Sequence, residues 1–360
     1  MPRELVAIAP KTPILREYEE QPLKSNELRV RSIFSAPKHG TELRPYRANT
    51  KDQTSPFDRQ KRIHLGEGGE SRFPIRLGNM AIGEVVEVSQ EITSFQIGDK
   101  VFGHLPIRDT HTVNQERVKK VPENMSSEAI VYSDPTGVAL CAIQGSQICL
   151  GTSVVIFGLG AIGQMALQLA RLQGARWIAA SDPIPVRREM AKKHGADLVI
   201  DPTVDDVGFS VKDQTKNTGA DVCIETSGSY AAMNDALRAT AYGGKIVSAA
   251  YYTGDSSVLS FEGEWHRNQL TMMSTRDVNS TLRNDPLWNT SRLHKEAFAL
   301  LQEERLSVDG LVHPIVSFHQ AAEAYRIIDE KPAESILSLI HISEPTRPRL
   351  SSYAVFCLKK

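Results

Sequence analysis

The sequence predicts an α/β chain whose middle is a doubly wound parallel sheet, and three observations predict it. The first is the apolar run Val154-Val155-Ile156-Phe157, short and uninterrupted as in a strand covered on both faces. The second is the segment that follows. From Ala161 to Leu172 the residues Ile162, Met165, Ala166, Leu169 and Leu172 fall on one face of a helix. The third is that the alternation continues. Trp177–Ala180, Leu198–Ile200, Val222–Ile224, Ile246–Ala249 and Leu270–Met273 read as strands. A basic helix over Arg187–Lys193, stopped by Gly195, and a second helix over Ala231–Ala239 lie between them. Strands alternating with helices imply right-handed crossovers and a parallel sheet.

The flanking segments read differently. The first 145 or so residues are β-rich. Leu28-Arg29-Val30-Arg31 and Gly83-Glu84-Val85-Val86-Glu87-Val88 alternate apolar and polar, and Lys100-Val101-Phe102 follows the turn Gly98-Asp99. Residues 44–74 are rich in Arg, Gly, Thr and Pro and read as a long surface excursion. After Trp288, helices are expected around Leu293–Leu301 and Gln320–Ile328. From Ser343 the periodicity is lost. Residues 343–360 resemble non-native sequence and are expected to be an appendage without function.

Composition narrows the class. A chain of 360 residues suggests two domains, and 41% hydrophobic with 24% charged residues is ordinary globular composition. A net charge of −1 favours neither nucleic acid nor an anionic membrane as partner. No apolar run approaches the ~20 residues of a membrane span, and the N-terminus lacks the apolar core of a signal peptide. The four cysteines, Cys141, Cys149, Cys223 and Cys357, form no close pair. A reducing cytoplasm is the expectation, with Cys141 and Cys149 as buried, inert thiols.

Gly158-Leu159-Gly160-Ala161-Ile162-Gly163 fits G-x-G-x-x-G between an expected strand and an expected helix, the setting that gives the motif meaning. Gly158 permits the tight turn, Gly160 keeps a side chain away from a pyrophosphate, and Gly163 allows helix and strand to approach. The helix N-terminus offers unpaired N–H groups to the phosphates. Asp182 ends the next strand, where a carboxylate accepts from the adenosine ribose hydroxyls and repels a 2′-phosphate. NAD is therefore expected over NADP, although Arg187 or Arg188 could pair with a 2′-phosphate. The expected cofactor-binding set is Gly158, Leu159, Gly160, Ala161, Ile162, Gly163, Asp182, Arg187 and Ser227.

With these residues in view the chain resembles the medium-chain dehydrogenase/reductase superfamily, nearest its zinc-dependent polyol and threonine dehydrogenase branch, from about residue 5 to 337. The resemblance rests on Gly78-x-x-x-x-Gly83-Glu84-Val85-Val86, Ile97-Gly98-Asp99-Lys100-Val101, Asp134-Pro135 and Gly243-Gly244-Lys245. It implies a GroES-like β-rich catalytic domain over 1–140 and 287–342, a Rossmann domain over 141–286, and an active site in the cleft between them. It also implies a homodimer or homotetramer.

The zinc chemistry does not carry over. Where the family has Cys-Gly-Thr/Ser-Asp, this chain has His39-Gly40-Thr41-Glu42, and Gly-His-Glu is replaced by Gly78-Asn79-Met80. Asn and Met are poor zinc ligands. The remaining ligand position is Asp134, and no Cys lies between Gly98 and Asp134 to build a structural zinc lobe. No metal is expected, with a site rebuilt from His39, Asp134 and His64 or His104 as the alternative.

The expected catalytic residues are His39, Thr41, Glu42 and Asp134. His39 would exchange a proton with the substrate oxygen. Thr41 matches a family position that relays one, Glu42 would orient or polarise, and Asp134 is alternatively a turn residue before Pro135. The expected function is NAD-linked hydride transfer to or from a secondary alcohol, polyol or sugar-like substrate. The alternatives are a zinc-free NAD(P)H-dependent enone or quinone reductase, and a dinucleotide-binding redox sensor without catalysis.

Overall fold

Alternating burial builds the N-terminal sheet. In β3 (Glu27–Ala36), Leu28, Val30 and Ser32 are buried while Glu27, Arg29 and Arg31 lie half-exposed on the other face. The computed structural model describes residues 1–51, 55–66, 72–252, 254–275, 281–282 and 285–342. β1 (Arg3–Ala9) pairs antiparallel with β2 (Thr12–Glu17) and with β6 (Ile75–Arg76). A small hairpin, β4 (Phe57–Asp58) with β5 (Ile63–His64), lies in the surface excursion. The larger sheet runs β10 (Lys119–Lys120), β8 (Lys100–Gly103), β7 (Met80–Val88), β3, β20 (Leu337–His341), β19 (Val312–Ser317), with β9 (Thr110–Asn114) also on β3. β20 joins β3 antiparallel, so a strand from residues 337–341 completes a sheet begun before residue 40. The tail 343–360 lies outside the described residues.

The second sheet is wholly parallel. Its order is β13 (Leu198–Ile200), β12 (Trp177–Ser181), β11 (Ser153–Phe157), β14 (Ala220–Glu225), β15 (Thr240–Ser248), β16 (Thr271–Ser274). Numbered within this unit the order is 3-2-1-4-5-6, which reverses direction between β11 and β14. Ligands of such sheets bind beyond the strand ends at that reversal. β17 (Thr281–Leu282) and β18 (Asp285–Asn289) form a separate two-stranded piece.

Among the described residues three α-helices lie outside the expected elements, and one of them is the short crossover Val207–Gln214. Helix α1 (His39–Tyr46) contains Gly40, Thr41 and Pro45, all poor helix formers, and is held by tertiary contacts of Glu42. Helix α2 (Ser127–Ser146) carries Asp134 and Pro135 in its interior, so Asp134 is not a turn residue. α2 is apolar on nearly every side, which leaves no 3.6-residue stripe to read. It packs between α3 (Ala161–Gln173) and the later helix α7 (Thr290–Gln302). Its side chains share one core with Met80, Ile82 and Phe102 of the first sheet and Val154 and Ile156 of the second. That shared core fixes the two sheets against each other.

The remaining helices cover the parallel sheet and the outside. α4 (Pro185–Lys193), α5 (Val207–Gln214) and α6 (Tyr230–Ala239) are crossovers, and α8 (Ala321–Glu330) packs on the N-terminal strands. Cys141 and Cys223 are buried, but Cys149 is exposed after α2, which corrects the expectation of two buried thiols.

Candidate functional site

The glycine loop after β11 has three different reasons for its three glycines. Gly158 has φ +81°, and a Cβ there would meet the backbone nitrogen of Ser227 at 2.7 Å. The loop after β11 and the loop after β14 are thus in direct contact. A Cβ on Gly163 would lie 1.8 Å from the Gly158 carbonyl oxygen, so α3 can pack this closely only with glycine. A Cβ on Gly160, the N-cap of α3, would meet nothing within 4 Å. Leu159 is buried, while Ala161 and Ile162 open the helix half-exposed.

Asp182 is 3% exposed and fastened to the same loop. Its Oδ2 accepts the Leu159 N–H at 2.7 Å and its Oδ1 accepts the Ile184 N–H at 2.8 Å. Two arginines stand nearby, and both are engaged. Arg187 donates to the carbonyls of Pro332 and Ser335, each at 3.1 Å, with Nη1 3.6 Å from Asp182 Oδ2. Arg188 donates to the Asp182 carbonyl at 2.7 Å and pairs with Asp201 at 2.7 Å. Arg187 therefore points to the segment before β20 and not outward to a cofactor position, contrary to expectation.

Opposite this loop lies a cleft of about 440 Å³. Thr41 and Lys38 line it from the α1 side, and Ile162, Thr226, Ser227 and Tyr251 from the parallel sheet. Glu225, one residue before Thr226, anchors this wall. Fully buried, it accepts from the N–H of Ser227 at 2.7 Å, from that of Gly228, and from the hydroxyls of Ser227 and Tyr252. Burial raises its pKa against those donors. The sequence reading passed over Glu225. A carboxylate at the end of a parallel strand, followed by Thr-Ser-Gly, was the available signal.

The expected catalytic residues separate. Thr41 reaches the cleft. His39 does not line it, and its Nε2 accepts the Ser338 backbone N–H at 3.3 Å. Burial, with the nearby Arg187 charge, pushes its pKa down to about 3. A neutral imidazole used as an acceptor is a poor proton exchanger near neutrality, and this corrects the role expected for His39. Glu42 does not face substrate either. Its carboxylate accepts the Lys38 N–H, the Gly78 N–H at 2.6 Å and the Tyr325 hydroxyl at 2.7 Å. Burial raises its pKa while the three donors oppose the rise. Glu42 is a clamp on two backbone segments, those that carry Lys38 and Asn79.

Asp134 is where those segments meet. The carboxylate, 6% exposed, pairs through Oδ2 with Lys38 Nζ at 2.7 Å. The Asn79 amide donates to the same oxygen at 3.1 Å, and His104 Nε2 stands 4.0 Å from Oδ1. Burial lowers the His104 pKa while Asp134 pulls it upward. Met80, Asp134 and His104 line a neighbouring cavity of about 310 Å³ together with Glu116, Ser133 and His294. Sequence reasoning missed Lys38, because the residue before a family motif carries no meaning until its side chain is placed.

Among the described residues no group of three His, Cys, Asp or Glu side chains is arranged to hold a metal ion. His39 faces Ser338, and His64 is bound to the Ser55 carbonyl on the β4–β5 hairpin. Asp134 is already paired with the ammonium group of Lys38.

Comparison with known proteins agrees with this architecture. Residues 161–290 match the family model described as zinc-binding dehydrogenase. A D-guloside 3-dehydrogenase of Escherichia coli is 34% identical over 343 residues, covering 93% of this chain and 98% of that protein. An L-threonine 3-dehydrogenase of Pyrococcus furiosus is 27% identical over 302 residues, covering 74% and 83%. The crystal structure of 2R,3R-butanediol dehydrogenase from Bacillus subtilis shares the fold at a TM-score of 0.73 and 19% identity, covering 95% of this chain and 99% of that one.

Proposed function

This chain belongs to the zinc-binding dehydrogenase family of the medium-chain dehydrogenase/reductase superfamily, and from that premise we propose that it is an NAD-dependent, zinc-independent dehydrogenase of a secondary hydroxyl on a polyol or sugar ring. The observation that carries the proposal is the shared cleft. Lys38 and Thr41 from one side face Ile162, Thr226 and Ser227 from the other, directly beyond the glycine loop.

The residues present fit a dinucleotide. The open space at Gly160 and the N-terminus of α3 suit a pyrophosphate, and Asp182 suits ribose hydroxyls. Asp182 would repel a 2′-phosphate, and the engagement of Arg187 and Arg188 with protein oxygens leaves less cationic charge to hold one. The bound nicotinamide would accept or supply the hydride. The chain's own work is to hold the substrate carbon at that ring, which accounts for a large share of such catalysis.

The 310 Å³ cavity supports the substrate class. Beside the apolar Met80, Phe102 and Phe298, the side chains of His104, Glu116, Ser133 and His294 offer donors and acceptors to several hydroxyls, as a polyhydroxylated ring with apolar faces would use. The relatives named for guloside, threonine and butanediol oxidation all act on secondary alcohols, which supports the same class. Zinc independence is supported by the donor set, since Asn79, Met80 and the ion-paired Asp134 leave too few ligands. The dimer or tetramer expected from the family belongs to the same proposal.

The test is NADH formation with a panel of methyl hexosides and polyols, before and after dialysis against a chelator. Turnover with one member and no loss on dialysis is expected. Loss on chelation restored by zinc would overturn zinc independence. Turnover of enones with NADPH and of no alcohol would overturn the substrate class, and NADH binding without any turnover would favour a sensor.

A further inference from the structure

We propose that Lys38 is the catalytic residue that holds the reacting substrate oxygen and exchanges its proton, doing with an ammonium group what the family name assigns to a metal. The proposal rests on the dehydrogenase reading above. Lys38 lines the cleft beside the glycine loop, Asp134 lines the cavity next to it, and the two are joined at 2.7 Å. The ion pair therefore stands where the cofactor side and the substrate side of the site meet.

The surroundings aim this group. Asp134 is the one ion-pair partner of Nζ among the described residues, and an ammonium carries three protons, so two remain for the cleft. Oδ2 of Asp134 also accepts from Asn79, which fixes the carboxylate so that it anchors Nζ and does not follow it. Glu42 clamps the Lys38 backbone and, through Gly78, the loop that carries Asn79. The lysine side chain is 18% exposed and the aspartate 6%, so charge near the pair is poorly screened by water. Preorganised donors at the position where an oxyanion forms are a strong catalytic device in such a setting.

The step balances as follows. In reduction, the carbonyl carbon gains the hydride supplied by the reduced cofactor, and the C=O pair moves onto oxygen. The Nζ–H bond breaks, an O–H bond forms, and the amine regains its proton from water. Oxidation of the alcohol runs the same bonds in reverse, with Nζ receiving the hydroxyl proton. Thr41, in the same cleft, is placed to pass that proton outward.

The test uses the methyl hexoside or polyol turned over by the unmutated protein, with Lys38→Ala and Lys38→Arg. Arg keeps the charge and can pair with Asp134, but it does not release a proton. Both variants should lower kcat roughly 10²–10⁴-fold, the range for loss of a general acid–base group. NADH affinity, read by fluorescence titration, should stay within about threefold of the parent, and Lys38→Arg should unfold at the parent's temperature. A merely structural lysine would instead be rescued in turnover by Lys38→Arg, which keeps the pair with Asp134. Lys38→Arg turning over within threefold of the parent would overturn the proposal, as would loss of NADH binding in step with turnover. An unmutated protein inactive on every probe would overturn the dehydrogenase reading, and this assignment with it.

Discussion

Replacing the glycines of the loop one at a time separates packing from ligand binding. Alanine at 163 places its Cβ 1.8 Å from the Gly158 carbonyl oxygen, whereas contacts under 3.0 Å are essentially never seen. The α3 backbone must then retreat by at least 3.0 − 1.8 = 1.2 Å from the loop. That carbonyl also accepts from Thr226 Oγ1 at 2.7 Å, so the disturbance reaches the wall of the cleft. Overpacking of this kind costs about 1–3 kcal/mol or more. Alanine at 160 is the opposite case. Its Cβ meets nothing within 4 Å, and φ −70°, ψ −168° is a conformation that alanine adopts readily. Stability should stay within about 0.5 kcal/mol of the parent. The methyl group would nevertheless occupy the space proposed for the pyrophosphate. Loss of one charge-assisted hydrogen bond, about 1.5–3 kcal/mol, corresponds to a fall of roughly 10–150-fold in NADH affinity. Denaturant unfolding and NADH fluorescence titration on both variants provide the check. Gly160→Ala binding NADH within threefold of the parent would refute the pyrophosphate position. Gly163→Ala as stable as the parent would refute the packing argument.

Three further outcomes follow from the site. Asp182→Ser should narrow the preference for NADH over NADPH at least about tenfold, by removing repulsion with the 2′-phosphate; an unmutated protein that prefers NADPH would refute the role given to Asp182. Glu42→Gln puts an amide where three donors converge, and should lower stability by about 1–3 kcal/mol while reducing kcat through displacement of Lys38; unchanged unfolding would show that the clamp is dispensable. His39 and His111 have folded pKa values of about 3, below the unfolded value of about 6.5, so the unfolded chain takes up protons first. Stability should therefore be fully present above about pH 6.5 and fall as pH drops towards 3, and His111→Gln should flatten that profile in thermal unfolding. An unchanged slope would mean that His111 is not held neutral.

What could be read from the sequence was whatever local pattern encodes. The apolar run before Gly158, the spacing of the three glycines and Asp182 at the end of the following strand identify a dinucleotide-type parallel sheet, because turn geometry, helix packing and strand period each leave marks within thirty residues. The replacement of the family's zinc-ligand types by Asn79 and Met80 is visible in the residues themselves, and zinc independence belongs to the proposal built on them. Helix α2 escaped, because a helix buried on all sides has no periodic stripe, and α1 escaped because its composition argues against it. The catalytic assignment depended on side-chain direction. His39, Gly40 and Thr41 are adjacent in sequence, yet helix geometry turns His39 toward Ser338 and leaves Thr41 on the cleft. Lys38 acquires meaning only beside Asp134, ninety-six residues away, where burial keeps water from screening the pair. Sequence patterns report what a segment can form alone; which charges face each other at a cleft is decided by the tertiary fold.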